Sequence, residues 1–415
     1  LNCVYFQRDY NIKKSKQRYL RILITFGVPR NTGDLALLES LCYLVEKQCP
    51  GAKIVISSDF PELVIDSNIV IDHILDYESA LFLDHSRLKA FILKYLQKIS
   101  WKFGFAEKLK LKAWWATSYT RLFFKSVQEA DVVLLAPGGY LSSSYDLRLK
   151  LWKINKLLDY DKNVIIPGQS IGPIKIRDER NFVSTLRRLK RVIIREKISF
   201  EYLKSLGLKN LDLSTDFAMI LHEKYVRHYQ EKKNKSIVRI AMSVRDWNND
   251  WVEIKEKFTT IIAYLFNLNP DLHITFLSTC QGKINYIDDS KLALEIVNQI
   301  DTRGINLTVN RDYHSPIELI KAYQNYDLYI GMRMHGGILA MLAGTPALLI
   351  GYEQKSAGVL ENIGTGKYHF YYRDDVEVWK QNISSVINNY GTICQNLKEE
   401  LTLKADILNS MTSIF

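Results

Sequence analysis

Short continuous runs of β-branched and other apolar residues recur along the chain, separated by longer stretches with helical spacing. This alternation limits the fold more than any other feature. The first series is RILITFG (21–27), AKIVISS (52–58), DVVLLAPGG (131–139), NVIIPGQSIGP (163–173) and RVIIREKIS (191–199). Runs without polar alternation suit strands covered on both faces, and helices between them imply right-handed parallel crossovers. After LDLSTDFAMIL comes a polar stretch, HEKYVRHYQEKKNKS (222–236), and the pattern restarts with IVRIAMSVRD, LHITFLSTC, INLTVN, DLYIGMRMH and TPALLIGYE. The expected fold is α/β, with two Rossmann-like doubly wound domains facing a cleft where the carboxyl ends of their strands meet. The expected divisions are a flexible arm at 1–20, a first domain at 21–221, a linker at 222–236, a second domain at 237–375, and helices at 376–415 that pack back.

A length of 415 residues with 47% hydrophobic content supports two cores. The five cysteines, Cys3, Cys42, Cys49, Cys280 and Cys394, include no CxxC pair, so neither a disulfide framework nor a zinc cluster is expected. No apolar run reaches the roughly 20 residues of a membrane-spanning helix, and no signal-peptide core is visible. A cytoplasmic protein is expected, peripheral on the inner face of the plasma membrane if it docks there.

The net charge of +11 is concentrated: residues 85–127 carry ten Lys or Arg against the single acid Glu107, interleaved with ten large aromatics. Lysine stems and interfacial rings favour an anionic membrane surface for this insertion. An amphipathic helical pair with its aromatics turned inward explains the same pattern. Nucleic acid comes last, because no recognisable binding module accompanies the patch.

Several loops follow strands directly. GVPRNTGDLALLESL opens a helix where Gly33 permits a tight turn and Asp34 can cap, leaving backbone amides for an anion. APGGYLSSSYD and PGQSIGPI place Gly138, Gly139, Gln169 and Ser170 on the same rim, although neither matches a P-loop or GxGxxG. Arg195 in RVIIREKIS and Arg245 in IAMSVRDW stand at strand ends, where a guanidinium suits phosphate or carboxylate. Asp216 falls at the domain boundary and can orient an arginine or a sugar hydroxyl. In YDLYIGMRMHGGILAMLAGTP, strand alternation would point Arg333 and His335 the same way, a cation beside a proton-transfer group. Lys355 would reach that rim after the next strand. No histidine or carboxylate cluster has metal-ligand spacing, so no metal and no cofactor are expected.

The order of these motifs, ending in RMHGGILAMLAGTPALLIGYEQKSAG, resembles the polysaccharide pyruvyl transferase family from about Arg21 to Gly364. The resemblance implies a fold like type B glycosyltransferases. It also implies transfer of the pyruvyl group of phosphoenolpyruvate to a sugar of a cell-surface glycan or its polyprenyl-diphosphate-linked precursor. Carried over by motif, the catalytic residues are His335 and Arg195, and the donor-binding residues are Arg333, Lys355 and Arg245. Asp34, Gly33, Gly138, Gly139, Gln169, Ser170 and Asp216 fall to the acceptor side or cleft. The chain departs from the family at Pro137, where a glycine is common, and at Phe217, where a proline is common. Two other functions fit the same architecture: a glycosyltransferase using a nucleotide sugar, and a non-catalytic glycan-binding subunit.

Overall fold

The computed structural model describes residues 19–60, 65, 70–76, 118–232, 237–281, 287–352, 358–359, 369–411 and 414–415. Most of the expected arm, residues 85–117 of the basic aromatic segment, and Lys355 lie outside them. The chain forms two compact units: 19–29, Leu37–Ser214 and Met411–Phe415 in the first, Arg30–Ala36 and Thr215–Ser410 in the second.

Unit one is a parallel sheet of eight described strands: β1 (Arg21–Gly27), β2 (Lys53–Ser58), β3 (Ile71–Leu75), β4 (Val132–Leu135), β5 (Gly138–Leu141), β6 (Asn163–Ile171), β7 (Arg191–Ile194) and β8 (Leu211–Leu213). Their order is β3-β2-β1-β4-β6-β7-β8, with β5 beside β6. The order reverses between β1 and β4, which makes that pair the topological switch point. The helices are α1 (Thr32–Gln48), α2 (Ser118–Glu129), α3 (Leu147–Leu158), α4 (Ile176–Arg187) and α5 (Lys197–Ser205). All four residues of β4 are buried, as a strand covered on both faces requires. Helix α2 is the described end of the basic aromatic segment. It turns Phe123 and Val127 into the core while Arg121 and Lys125 face water, so this part follows the amphipathic alternative.

Unit two repeats the plan with β9 (Arg239–Ser243), β10 (His273–Phe276), β11 (Asn306–Val309), β12 (Leu328–Gly331), β13 (Ala347–Gly351) and β14 (His369–Tyr371). The order β11-β10-β9-β12-β13-β14 puts the switch point between β9 and β12. Its helices are α6 (Leu221–Tyr225), α7 (Trp251–Leu268), α8 (Asp289–Val297), α9 (Pro316–Tyr323), α10 (Met334–Leu342), α11 (Val376–Asn388) and α12 (Tyr390–Ser410). Met242, Phe258, Ile274, Ile330, Leu348 and Trp379 belong to one core. The units divide after Ser214 rather than in the polar stretch 222–236. Residues 222–228 are folded there, in α6 and a 3-10 turn, with His222 and Tyr225 buried. Helix α12 packs on α6 and on the 3-10 turn Phe217–Ile220, all within unit two.

Candidate active site

In unit two the sheet register levels the strand ends. Ser243 of β9 pairs with Gly331 of β12, and Gly331 pairs with Leu349 of β13. Arg245 and Arg333 each lie two residues past such an end, one on either side of the switch point. Strand alternation does not continue to His335. The chain leaves the strand after Gly331, Arg333 becomes the N-cap of α10, and His335 falls in its first turn. Two hydrogen bonds enforce this turn: Tyr329 Oη donates to the Arg333 carbonyl at 2.9 Å, and the Arg333 amide donates to Ser243 Oγ at 3.2 Å. Gly336 has no room for a Cβ, because the Tyr329 hydroxyl fills that position.

Arg333 is therefore not the open cation the sequence suggests. Its Nε donates to Asp289 Oδ2 at 2.7 Å and its Nη2 to Asp289 Oδ1 at 2.6 Å, a two-pronged pair with side chains 7% and 1% exposed. Ser278 Oγ donates to the same carboxylate. Burial works against the Arg333 charge, but Asp289 more than offsets it and holds the guanidinium protonated well above its ordinary range. Cys280 lies among these charges. Burial pushes its thiol up to about 12, with Arg333 and Arg245 pulling it down and Asp289 and Asp34 pushing it up. Asp289 escapes sequence reading, because a second aspartate at the start of α8 looks like a further helix-capping acid.

His335 faces Asp216. The imidazole Nε2 is buried, has no hydrogen-bond partner among the described residues, and lies 3.5 Å from Asp216 Oδ2. Asp216 is fully buried, and its other oxygen accepts from the Ala218 amide at 2.9 Å as the cap of the 3-10 turn. The other side of His335 is closed by Gly33, where a Cβ would stand 2.6 Å from His335 Cβ and 3.0 Å from its Nδ1. Only glycine permits that approach. Asn31 caps α1, its Oδ1 accepting from the Gly33 amide at 2.8 Å, with Asp34 in the helix's first turn, and the Thr32 amide donates to the Thr279 carbonyl at 3.0 Å. Two amides expected to face an anion are thus engaged, and that of Thr32 ties the first turn of α1, part of unit two, to Thr279.

Arg245 lies against a pair of touching rings, Trp247 and Tyr352, whose centroids are 4.7 Å apart. Its guanidinium carbon lies 4.7 Å from the ring centroid of Trp247 and 4.7 Å from that of Tyr352, and its Nη1 donates to Tyr352 Oη at 2.6 Å. Flat aromatic faces orient the guanidinium without neutralising its charge. Trp247 and Tyr352 were not anticipated: Tyr352 follows another strand, and a contact of that range leaves no spacing signal.

In unit one, β5, β6 and β7 bring the remaining residues together. Gly138 pairs with Gln169, and Gln169 pairs with Ile194, the residue before Arg195. The Arg195 amide donates to the Gln169 carbonyl at 3.1 Å, and Arg195 Nε donates to Ser170 Oγ at 2.8 Å. Gln169 Nε2 donates to the Ala136 carbonyl at 2.6 Å, while its Oε1 is buried with no partner among the described residues. Gly139 adjoins them on β5. Among the described residues no group of three or more His, Cys, Asp or Glu is placed to hold a metal ion. Nor is any described helix long and apolar enough to cross a membrane.

Residues 31–354, which include every candidate site residue but Lys355, match the polysaccharide pyruvyl transferase family. The chain belongs to that family. A curated relative, the amylovoran biosynthesis protein AmsJ of Erwinia amylovora, is 22% identical over 92% of this chain and 95% of its own. Among solved structures, Anabaena Alr3699/HepE in complex with UDP-glucose aligns with a TM-score of 0.56 at 10% identity, covering 94% of this chain and 96% of that one. A putative UDP-N-acetylglucosamine 2-epimerase from Listeria monocytogenes aligns with a TM-score of 0.56 at 11% identity, covering 94% of each chain. At such identities the likeness is one of fold, two Rossmann-like domains of the type B glycosyltransferase kind. Membership supports a transferase with a role in polysaccharide biosynthesis.

Proposed function

We propose that the protein transfers the pyruvyl group of phosphoenolpyruvate to two hydroxyls of one sugar, in a cell-surface glycan or its lipid-linked precursor, giving a cyclic ketal and inorganic phosphate. The observation that carries this reading is the His335 imidazole, with no hydrogen-bond partner at Nε2 among the described residues and 3.5 Å from a fully buried carboxylate, beside the switch point of unit two. A histidine ring held beside a carboxylate suits proton transfer. His335 delivers its proton to the methylene carbon, leaving C2 electrophilic. A sugar hydroxyl then bonds to C2 and loses its proton. Phosphate departs with the C2–O bonding pair, and a second hydroxyl takes its place, losing its proton in turn.

The donor brings a carboxylate and a phosphate, so fixed cations must meet it. Arg245, pre-oriented by its two rings, fits that task, and the family motif assigns Lys355 to it as well. Arg195, buried in unit one with its Nε on Ser170 Oγ, keeps the catalytic role that the family resemblance implies for it. Arg333 acts through Asp289, holding the start of α10 and with it His335. The name of AmsJ supports a glycan setting.

The test is incubation of the protein with phosphoenolpyruvate and candidate lipid-linked glycans, followed by mass spectrometry and a phosphate assay. Stoichiometric ketal and phosphate are expected. No phosphate release, together with thermal stabilisation by a nucleotide sugar but not by phosphoenolpyruvate, would overturn the reading.

A further inference from the structure

Tyr352 follows β13 directly and Arg245 follows β9, with β12 between these strands in the sheet. The hydrogen bond from Arg245 Nη1 to Tyr352 Oη, 2.6 Å long, therefore spans the end of β12, where the chain turns into α10. Tyr352 is close enough to Arg333, the cap of that helix, for the two to interact electrostatically. Arg245 and Tyr352 are both half-buried, so a ligand can reach them.

The direction of the bond decides what the phenol can still do. A guanidinium only donates, so the phenol oxygen accepts and its own hydrogen must point elsewhere. Among the described residues no acceptor takes that hydrogen, and no carboxylate pairs with Arg245 as Asp289 pairs with Arg333. Accepting from a cation also strengthens the phenol as a donor, because linked hydrogen bonds polarise one another. One anion can thus take a hydrogen bond from Arg245 and a second from Tyr352. Donors from two strands do not form the planar fork that matches a carboxylate, whereas a tetrahedral phosphate offers oxygens in several directions.

The third member of the cluster is fixed from behind. Two successive left-handed residues, Asn248 at φ +56° and Asn249 at φ +63°, turn the chain after Trp247. Asp250 beyond them accepts from Tyr372 Oη at 2.8 Å and from Arg373 Nη2 at 2.9 Å. Backbone of this kind persists only where the surroundings hold it, and here they keep the Trp247 ring against Tyr352.

We propose that Tyr352 binds the donor's phosphate directly, its hydroxyl donating to a phosphate that Arg245 also holds, with Trp247 steadying the pair. The assignment to phosphoenolpyruvate rests on the proposed function; the binding of a phosphate anion does not.

Calorimetric titration of the full chain with inorganic phosphate tests this without turnover. Tyr352→Phe keeps the ring and removes the donor, so phosphate affinity should fall about tenfold at unchanged melting temperature. The KM for phosphoenolpyruvate should rise by more than kcat falls. A hydroxyl that only orients the guanidinium would cease to matter once Arg245 is replaced by lysine, which has no planar fork to orient. A direct contact still matters there, and Tyr352→Phe should weaken phosphate about fivefold or more in the Arg245→Lys background. No phosphate binding by the wild type, wild-type affinity in Tyr352→Phe, no loss in the lysine background, or tighter binding of acetate than of phosphate each overturns the contact, whether or not phosphoenolpyruvate is consumed. Phosphate held through Tyr352 by a protein that consumes no phosphoenolpyruvate supports the contact and overturns the donor reading alone.

Discussion

His335 is held by what crowds it as much as by what it bonds. Gly33 stands against its Cβ and ring, and Asp216 stands 3.5 Å from its Nε2. Replacing the imidazole should remove proton transfer and leave the cations in place. His335→Ala is therefore expected to keep its affinity for phosphoenolpyruvate by calorimetry while turnover falls about 100-fold or more; wild-type turnover would exclude the role. Asp216→Asn keeps the shape and removes the carboxylate charge 3.5 Å from Nε2. Its turnover should fall at unchanged melting temperature and unchanged affinity for phosphoenolpyruvate, and wild-type turnover would remove Asp216 from the account.

At the scale of elements, the Arg333–Asp289 pair ties the start of α10 to the start of α8. Removing one partner leaves a buried charge uncompensated, which typically costs about 3–5 kcal/mol. Asp289→Ala should lose stability on that scale in urea titration. The double variant with Arg333→Met should recover part of it, and a single-variant change below about 1 kcal/mol would show that the pair does not anchor the two helices. This placement of Arg333 was not legible in the sequence. Alternation along RMH assumes a strand, but the strand ends at Gly331 because Tyr329 and Ser243 capture the backbone of Arg333 across the sheet.

For the whole molecule, one buried histidine, His222, and two half-buried ones, His73 and His369, contribute to the response to acid. Burial lowers the proton affinity of His222, His73 and His369 below the ordinary value of 6.5, and for His222 the Lys398 charge adds to it. Folding thus favours their neutral forms. The stability they contribute is fully present above about pH 6.5 and is lost as pH falls through their lowered folded values. Melting temperature should drop between neutral and mildly acid pH, and His222→Gln should flatten part of that fall. An unchanged slope would remove His222 from the account.

Which parts of this were readable from residue order follows from range. Continuous apolar runs suit inner strands, so two doubly wound sheets followed from the sequence, as did the strand ends carrying Arg195 and Arg245; the seat of His335 in the first turn of α10 did not. The grouping of Gly138, Gln169, Ser170 and Arg195 was legible too, because neighbouring parallel strands end on one rim. The partners were not. Asp289, Asp216, Gly33, Trp247 and Tyr352 meet Arg333, His335 and Arg245 through contacts tens to hundreds of residues apart, except for the near pair Arg245 and Trp247. Such contacts leave no period in the chain, and only the packing of the folded units decides which cation is closed on a carboxylate and which stays available to a substrate.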